Sequence, residues 1–231
     1  SLNMSSRRRP QRRRRGYDMR RFCSMLLDAD SFFELQPRFA RNLVTGLGRL
    51  DGWPVGVIAN NPMFQAGALT PDSCDKAIRL MCLCDAFNLP LIWLMDVPGF
   101  MVGRRVEHDR ILFKAIRMVE ALCNLSTPSL SVVIRKGFGL AYQAMNTSGM
   151  GAVGFYSWPG AEIGFMDPEV GVNVAYANRL AQVEDDGLGV DLLPALGEHR
   201  RVDTVVRRVP EVDETVAGLT VASPVAHPQL V

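Results

Sequence analysis

Apolar positions recur along the chain with two periods, and the changes of period mark the elements. Met19, Phe22, Met25 and Leu26 stand at helical spacing within YDMRRFCSMLLDADSFFEL, predicting a helix that closes near Asp28-Ala29-Asp30. RNLVTGLGRLDGWPVGVIANN reads as two strands joined at Asp51-Gly52, a pair that accepts the positive φ angles of a tight hairpin. Thr70-Pro71-Asp72-Ser73 supplies a capping cluster for a helix with Ala77, Leu80, Met81 and Cys84 on one face. LPLIWLMDV is a continuous apolar run of strand length, as a strand covered on both faces requires.

The same order then returns. RILFKAIRMVEALCNL predicts an amphipathic helix, TPSLSVVIRKG a second buried strand, FGLAYQAMNTSG a turn into a helix, and AVGFYSWPGAEIGFM two shorter strands. Helix, strand, glycine turn and helix therefore occur twice. This predicts an α/β layered domain with a mainly parallel sheet and right-handed crossovers. Sites on such sheets lie beyond the carboxyl ends of the strands, where both DVPGF and GFGLAY fall. From residue 181 the pattern breaks into short valine-rich pieces interrupted by Gly and Pro, so 181–231 is expected to be a peripheral tail.

Composition narrows the class. At 231 residues, 48% apolar and 22% charged, the chain suits one sizeable α/β domain or two small ones. No window is apolar enough for a membrane span, and no apolar stretch follows the basic N-terminus as in a signal peptide. The odd number of cysteines and their lack of paired metal spacing point to reduced thiols, no metal and a cytoplasmic setting. The net charge of +2 conceals RRRPQRRRR, seven arginines between Arg7 and Arg15. Without interleaved aromatics, that run reads as a solvated arm over residues 1–16, not as a nucleic-acid surface.

Two helix N-termini facing one cleft would present unpaired N–H donors to an oxygen that gains charge. Preorganised donors of this kind are worth about 2.7 to 4 kcal/mol each in barrier lowering. Phosphate is the alternative occupant, but GxxxxGK[ST] and GxGxxG are both absent. Side-chain catalysts are scarce. His108, His199 and His227 have no nucleophile motif nearby, Ser131 is expected to start a strand, and Ser148 to lie late in a helix. Of the acids near the turns, Asp96 is expected to bond turn amides, Glu107 to cap a helix, and Glu162 to pair with a core arginine. Stabilisation led by the backbone is favoured.

At this point the residues match a known family. DVPGFMVGRRVEHDRILFKAIRMVEAL resembles the D-T-P-G-F-x-x-G stretch of biotin-dependent acyl-CoA carboxylase carboxyltransferase β subunits. VVIRKGFGLAYQAM is similar to their V-I-x-R-K-x-Y-G-G-A-Y-x-x-M, and SWPGAEIGFMDPEVGVNVAY to their A-W-P-x-A-E-I-x-V-M. YDMRRFCSMLLDADSFFELQPRFARNLVTGLGRLDGWPVGVIANN follows the family as well, so the match runs in order from about Tyr17 to Leu180.

The resemblance implies a crotonase-like fold of repeated ββα units, of which residues 17–180 match only the C-terminal, carboxybiotin-binding half. Residues 1–16 then look like an interdomain linker. It further implies transfer of a carboxyl group from carboxybiotin to the α carbon of an acyl-CoA. By position, the amides of Leu140 and Ala141 would hold the ureido oxygen of biotin. Gly99, Phe100 and Gly139 would line the pocket, and Gln143 would help select the acyl chain. The implied partners are a biotin carboxylase, a biotin carboxyl carrier, and an acyl-CoA-binding N-terminal-type domain, in a hexamer-type oligomer. Three departures stand out. Leu140 replaces a small residue and is expected to fill space beside the ligand. Lys114 replaces a glycine contact, and the C-terminal tail only faintly echoes the family's close. Two other readings compete: a biotin-independent crotonase-type enzyme using Glu107 or Glu162, and a non-catalytic assembly subunit.

Overall fold

A computed structural model describes residues 16–168, 170, 171 and 220–221. The described residues divide into two units between Phe165 and Met166, with Thr220–Val221 in the first. That first unit holds the sheet, its helices and both glycine turns. The expected arm and tail lie outside the described residues, apart from Gly16 and Thr220–Val221.

Among the described residues, eight strands build one sheet. They are β1 (Phe33–Leu35), β2 (Leu43–Leu50), β3 (Trp53–Asn60), β4 (Leu91–Val97), β5 (Ser129–Phe138), β6 (Gly154–Ser157), β7 (Glu162–Gly164) and β8 (Thr220–Val221). The order is β1-β2-β3-β4-β5-β6-β8, and β7 pairs with the last residues of β5. Strands β3 to β6 run parallel, while β1, β2 and β8 pair antiparallel with their neighbours. The β2–β3 hairpin closes as expected: Asp51 and Gly52 take φ values of 51° and 81°. A two-residue loop with both angles positive matches the twist of the flanking strands.

The helices are α1 (Met19–Leu26), α2 (Pro71–Ala86), α3 (Arg104–His108), α4 (Ile111–Cys123) and α5 (Gly139–Ala144). Helix α2 begins where its capping cluster predicts. The Ser73 N–H donates to Thr70 Oγ1 at 3.2 Å, and the Thr70 N–H donates to Ser73 Oγ at 2.7 Å. That reciprocal pair satisfies two donors at the helix start, and Pro71 has no N–H to satisfy. Its predicted face, Ala77, Leu80, Met81 and Cys84, is buried.

Strand β4 shows how the sheet divides the core. Leu91, Trp93, Met95 and Val97 enter one cluster with residues of α2, α4 and α5, while Ile92 and Leu94 enter another with Met19, Cys23 and Leu27. Alternation along a strand forces this split. Each such side chain contributes roughly 1.5 to 3 kcal/mol by leaving water. Lys114 on α4 pairs with Asp75 on α2, so the lysine in place of a glycine contact becomes an ionic tie between the two helices.

Three features differ from the sequence reading. Ser131 is the third residue of β5, buried, and donates to the Asn146 carbonyl at 2.6 Å. Helix α5 ends at Ala144, and Ser148 opens a separate 3-10 turn. The DVPGF turn does not run straight into a helix, because Gly103, at φ 126°, precedes the five-residue α3.

Candidate functional site

The two glycine turns leave adjacent strands at the same end of the sheet. Val97, closing β4, pairs in register with Gly137 near the end of β5. Each turn depends on a glycine. Gly99 has φ 151° and Gly139 φ 63°, conformations that side chains with a Cβ rarely adopt. A Cβ at Gly99 would meet nothing within 4 Å, so open space lies before it; one at Gly139 would stand 3.1 Å from the Phe165 carbonyl oxygen.

The donors are local. Leu140 and Ala141 occupy the second and third positions of α5, where N–H groups have no intrahelical acceptor. No side chain caps this helix. In the first turn, the Leu69 N–H donates to the Gly99 carbonyl at 3.0 Å and the Met101 N–H to the Leu69 carbonyl at 2.7 Å. These bonds fix Gly99 and Phe100 against the loop before α2. Helices of five and six residues carry little summed dipole, so the expected pair of helix dipoles is replaced by individual amide groups.

Leu140 is 55% exposed, so its side chain turns outward, and Gly139 takes the positive φ in its stead. Ala141 is buried. Gln143 is exposed, and its Oε1 accepts a hydrogen bond from Thr147 Oγ1 at 2.7 Å.

The acids fall differently. Asp96 does not bond turn amides. It is fully buried, accepts from the Tyr17 hydroxyl at 2.8 Å, and pairs with Arg135 Nε at 2.9 Å. Strand alternation explains this, since Asp96 follows Ile92 and Leu94 to the face on which α1 lies. Burial raises its pKa, against the lowering effect of Arg135 and the Tyr17 hydroxyl. Burial, followed by the Asp96 charge, likewise raises that of Tyr17. Glu107 and His108 sit exposed on α3, and Glu162 lies on β7 in register with Lys136. His199 and His227 lie outside the described residues. Among the described residues, no three His, Cys, Asp or Glu side chains come together to hold a metal.

Sequence reasoning missed Tyr17 and Arg135. The signal for Arg135 was its place with Lys136, two cations closing an otherwise apolar strand just before Gly137. A cleft of about 810 Å³ adjoins the first turn; its lining includes Arg38, Arg41, Thr70, Met101, Arg104 and Arg105, but none of Gly99, Gly139, Leu140 or Ala141. The Arg41 guanidinium lies 3.8 Å from the centre of the Phe64 ring.

Comparison with known proteins places the chain in a family. The family described as "Carboxyl transferase domain" matches residues 2–223. The chain is 38% identical over 190 residues to the biotin-dependent acetyl-/propionyl-coenzyme A carboxylase beta5 subunit of Mycobacterium leprae, covering 82% of this chain and 35% of that protein. Among solved structures, the transcarboxylase 12S hexamer with methylmalonyl-coenzyme A and methylmalonic acid bound superposes with a TM-score of 0.68. It is 37% identical and covers 71% of this chain and 32% of its own. A single-chain, multi-domain long-chain acyl-CoA carboxylase gives a TM-score of 0.69 at 37% identity, over 72% of this chain and 17% of its own. These neighbours bear out the expected crotonase-like α/β fold. The chain spans about a third of the length of the curated relatives it matches. On the match across nearly its whole length, the chain belongs to the carboxyl transferase domain family.

Proposed function

We propose that this chain is the carboxybiotin-side half of an acyl-CoA carboxylase carboxyltransferase, which moves a carboxyl group to the α carbon of an acyl-CoA. The observation that carries this reading is the side-by-side exit of two glycine turns with uncapped amides beyond Val97 and Gly137. The residues suit a neutral ring bearing one strong acceptor oxygen: backbone donors at Leu140 and Ala141, and open space in front of Gly99. When bound, carboxybiotin would supply the carboxyl group, a ureido nitrogen to take the α proton that the carboxyl replaces, and a ureido oxygen able to carry charge. The Leu140 and Ala141 amides hold that oxygen, and the Gly99, Phe100 and Gly139 backbone shapes the wall. With the proton acceptor supplied by the bound group, no side chain among the described residues is called on to move a proton, which accords with exposed Glu107 and inward-facing Asp96.

In the same reading, Gln143 borders the acyl chain, fixed by its bond from Thr147. Residues 17–180 form the working domain, with 1–16 as linker and 181–231 as tail. The acyl-CoA is held by an N-terminal-type domain, and carboxybiotin arrives on a carrier served by a biotin carboxylase. Leu112, Phe113 and Ile116 support an assembly of this kind. They share one face of α4, each more than half exposed, and α4 packs against α5. Cys23 and Cys74, whose thiols burial pushes up to about 12, act as apolar filling.

The test is reconstitution. Carboxylation of acyl-CoA should require this chain, an acyl-CoA-binding subunit and a carboxylated carrier together, and Glu107→Ala with Glu162→Ala should leave it intact. Turnover of acyl-CoA by the chain alone, without biotin, would sink the proposal.

A further inference from the structure

We propose that Tyr17, Asp96 and Arg135 form a clamp that pins an irregularity in β5 and thereby sets the spacing of the two glycine turns. Its catalytic meaning rests on the function proposed above; its geometry does not. Strands β4 and β5 pair regularly from Leu91↔Ser129 to Met95↔Val133, and the next pair is Val97↔Gly137. Between those pairs β4 advances by two residues and β5 by four. Ile134, Arg135 and Lys136 thus stand opposite Asp96 alone. A bulge of this sort bends its strand and re-aims a side chain, commonly beside a site.

The bulge has a direct consequence for the site. Were the register regular, Val97 would face Arg135, and the Gly139 turn would project two residues further, about 6 to 7 Å. Its amides would then pass beyond the Gly99 turn. On the β4 side these residues lack regular ladder partners, and on the other side Lys136 pairs with Glu162 of β7, so the position of Arg135 needs a further hold. Arg135 supplies that hold: its Nε lies 2.9 Å from Asp96 Oδ2 and 3.3 Å from Oδ1. The Tyr17 hydroxyl donates to Oδ2 at 2.8 Å, and the Arg135 guanidinium lies 5.1 Å from the centre of the Tyr17 ring. The three side chains form a closed triangle. The Asp96 N–H also donates to Asn60 Oδ1 at 3.2 Å, tying in the end of β3. A wholly buried carboxylate beside a planar cation is a directional contact, which lysine cannot reproduce. The same contacts engage the Asp96 carboxylate with Tyr17 and Arg135 and not with the turn amides.

These are positioning residues, and the test must separate position from stability. Arg135→Lys, Tyr17→Phe and, as a control, Glu34→Gln should be made in the full chain. Glu34→Gln weakens the separate Arg20–Glu34 pair, whose contact is 2.7 Å. Amide hydrogen exchange is followed over 97–103 and 137–145, and biotin binding is titrated alongside. Exchange is compared under conditions where the variants have equal unfolding free energy. The clamp predicts that Arg135→Lys speeds exchange at both turns by about tenfold, that Tyr17→Phe does so by less, and that Glu34→Gln does not. Biotin affinity should fall in the same order. Equal exchange at the turns in all three variants would overturn the proposal. Should Arg135→Lys fail to fold, Tyr17→Phe decides by the same criterion. Should the unmodified chain bind no biotin, the carboxyltransferase reading falls, while the exchange data still judge the clamp.

Discussion

The two ends of the parallel sheet treat their backbone donors in opposite ways. At the amino ends of the strands, acids close the turns. Asp28 accepts the N–H groups of Asp51 and Gly52 at 2.9 and 2.8 Å, and Asp85 accepts those of Ser126 and Thr127 at 2.8 and 3.2 Å. At the carboxyl ends, α5 has no capping side chain, and the Asp96 carboxylate at the end of β4 is engaged by Tyr17 and Arg135. The same sheet thus has a finished end and an end whose α5 amides carry no side-chain cap. The difference arises from where a few polar side chains point, with the strands themselves unchanged.

The sharpest way to break this contrast is to disturb the open end. Gly139→Val forces a β-branched residue to φ 63° and brings its Cβ to 3.1 Å from the Phe165 carbonyl oxygen. Carboxyl transfer in the reconstituted system should fall by about a hundredfold or more, the loss typical of a misplaced oxyanion donor. Near-normal turnover would show that these amides are not the donors.

A second prediction concerns a buried cation at the same end. Lys76 is 1% exposed and donates to the Phe39 and Leu43 carbonyls at 2.8 and 2.7 Å. Burial lowers its pKa from 10.5 to about 8. Between those values the unfolded chain keeps a proton that the folded chain has released, so stability should rise with pH over that window. The gain, taken as the difference between wild type and the non-titrating Lys76→Met in denaturant unfolding, should be on the order of 2 kcal/mol. Parallel pH profiles for the two proteins would refute it.

The finished end should respond in stability alone. Asp28→Ala removes the acceptor of two solvent-facing N–H groups, which water can replace, and should cost about 1 kcal/mol with transfer activity unchanged. A drop in activity would mean that the two ends are coupled. The smallest effect is expected at Leu140→Ala. With the side chain 55% exposed, unfolding free energy should shift by less than about 0.5 kcal/mol. Turnover should change little, because the donor at that position is the amide.

Much of the scaffold could be read before any coordinates. The hairpin followed from Asp51-Gly52, α2 from Thr70-Pro71-Asp72-Ser73, and the buried parallel strands from unbroken apolar runs. The glycine turns were placed at the correct edge by strand order alone. Other features escaped for physical reasons. Helix α3 and β1, of five and three residues, are too short for a period to register. The β5 bulge exists only as a pairing with β4, so no window of β5 could announce it. Asp96 was assigned to the turn by nearness in sequence, although alternation from Leu91, Trp93 and Met95 already put it on the opposite face. The open cleft was also hidden, because its arginines come from separate segments, the loop before β2 and helix α3.

The placement of the donors has an evolutionary consequence. An amide hydrogen belongs to every residue except proline, so in the proposed site the exposed position 140 can change its side chain without losing its donor. A protein built this way can vary the shape of what it accepts while its reactivity stays constant. Searches for an invariant catalytic side chain would pass over it.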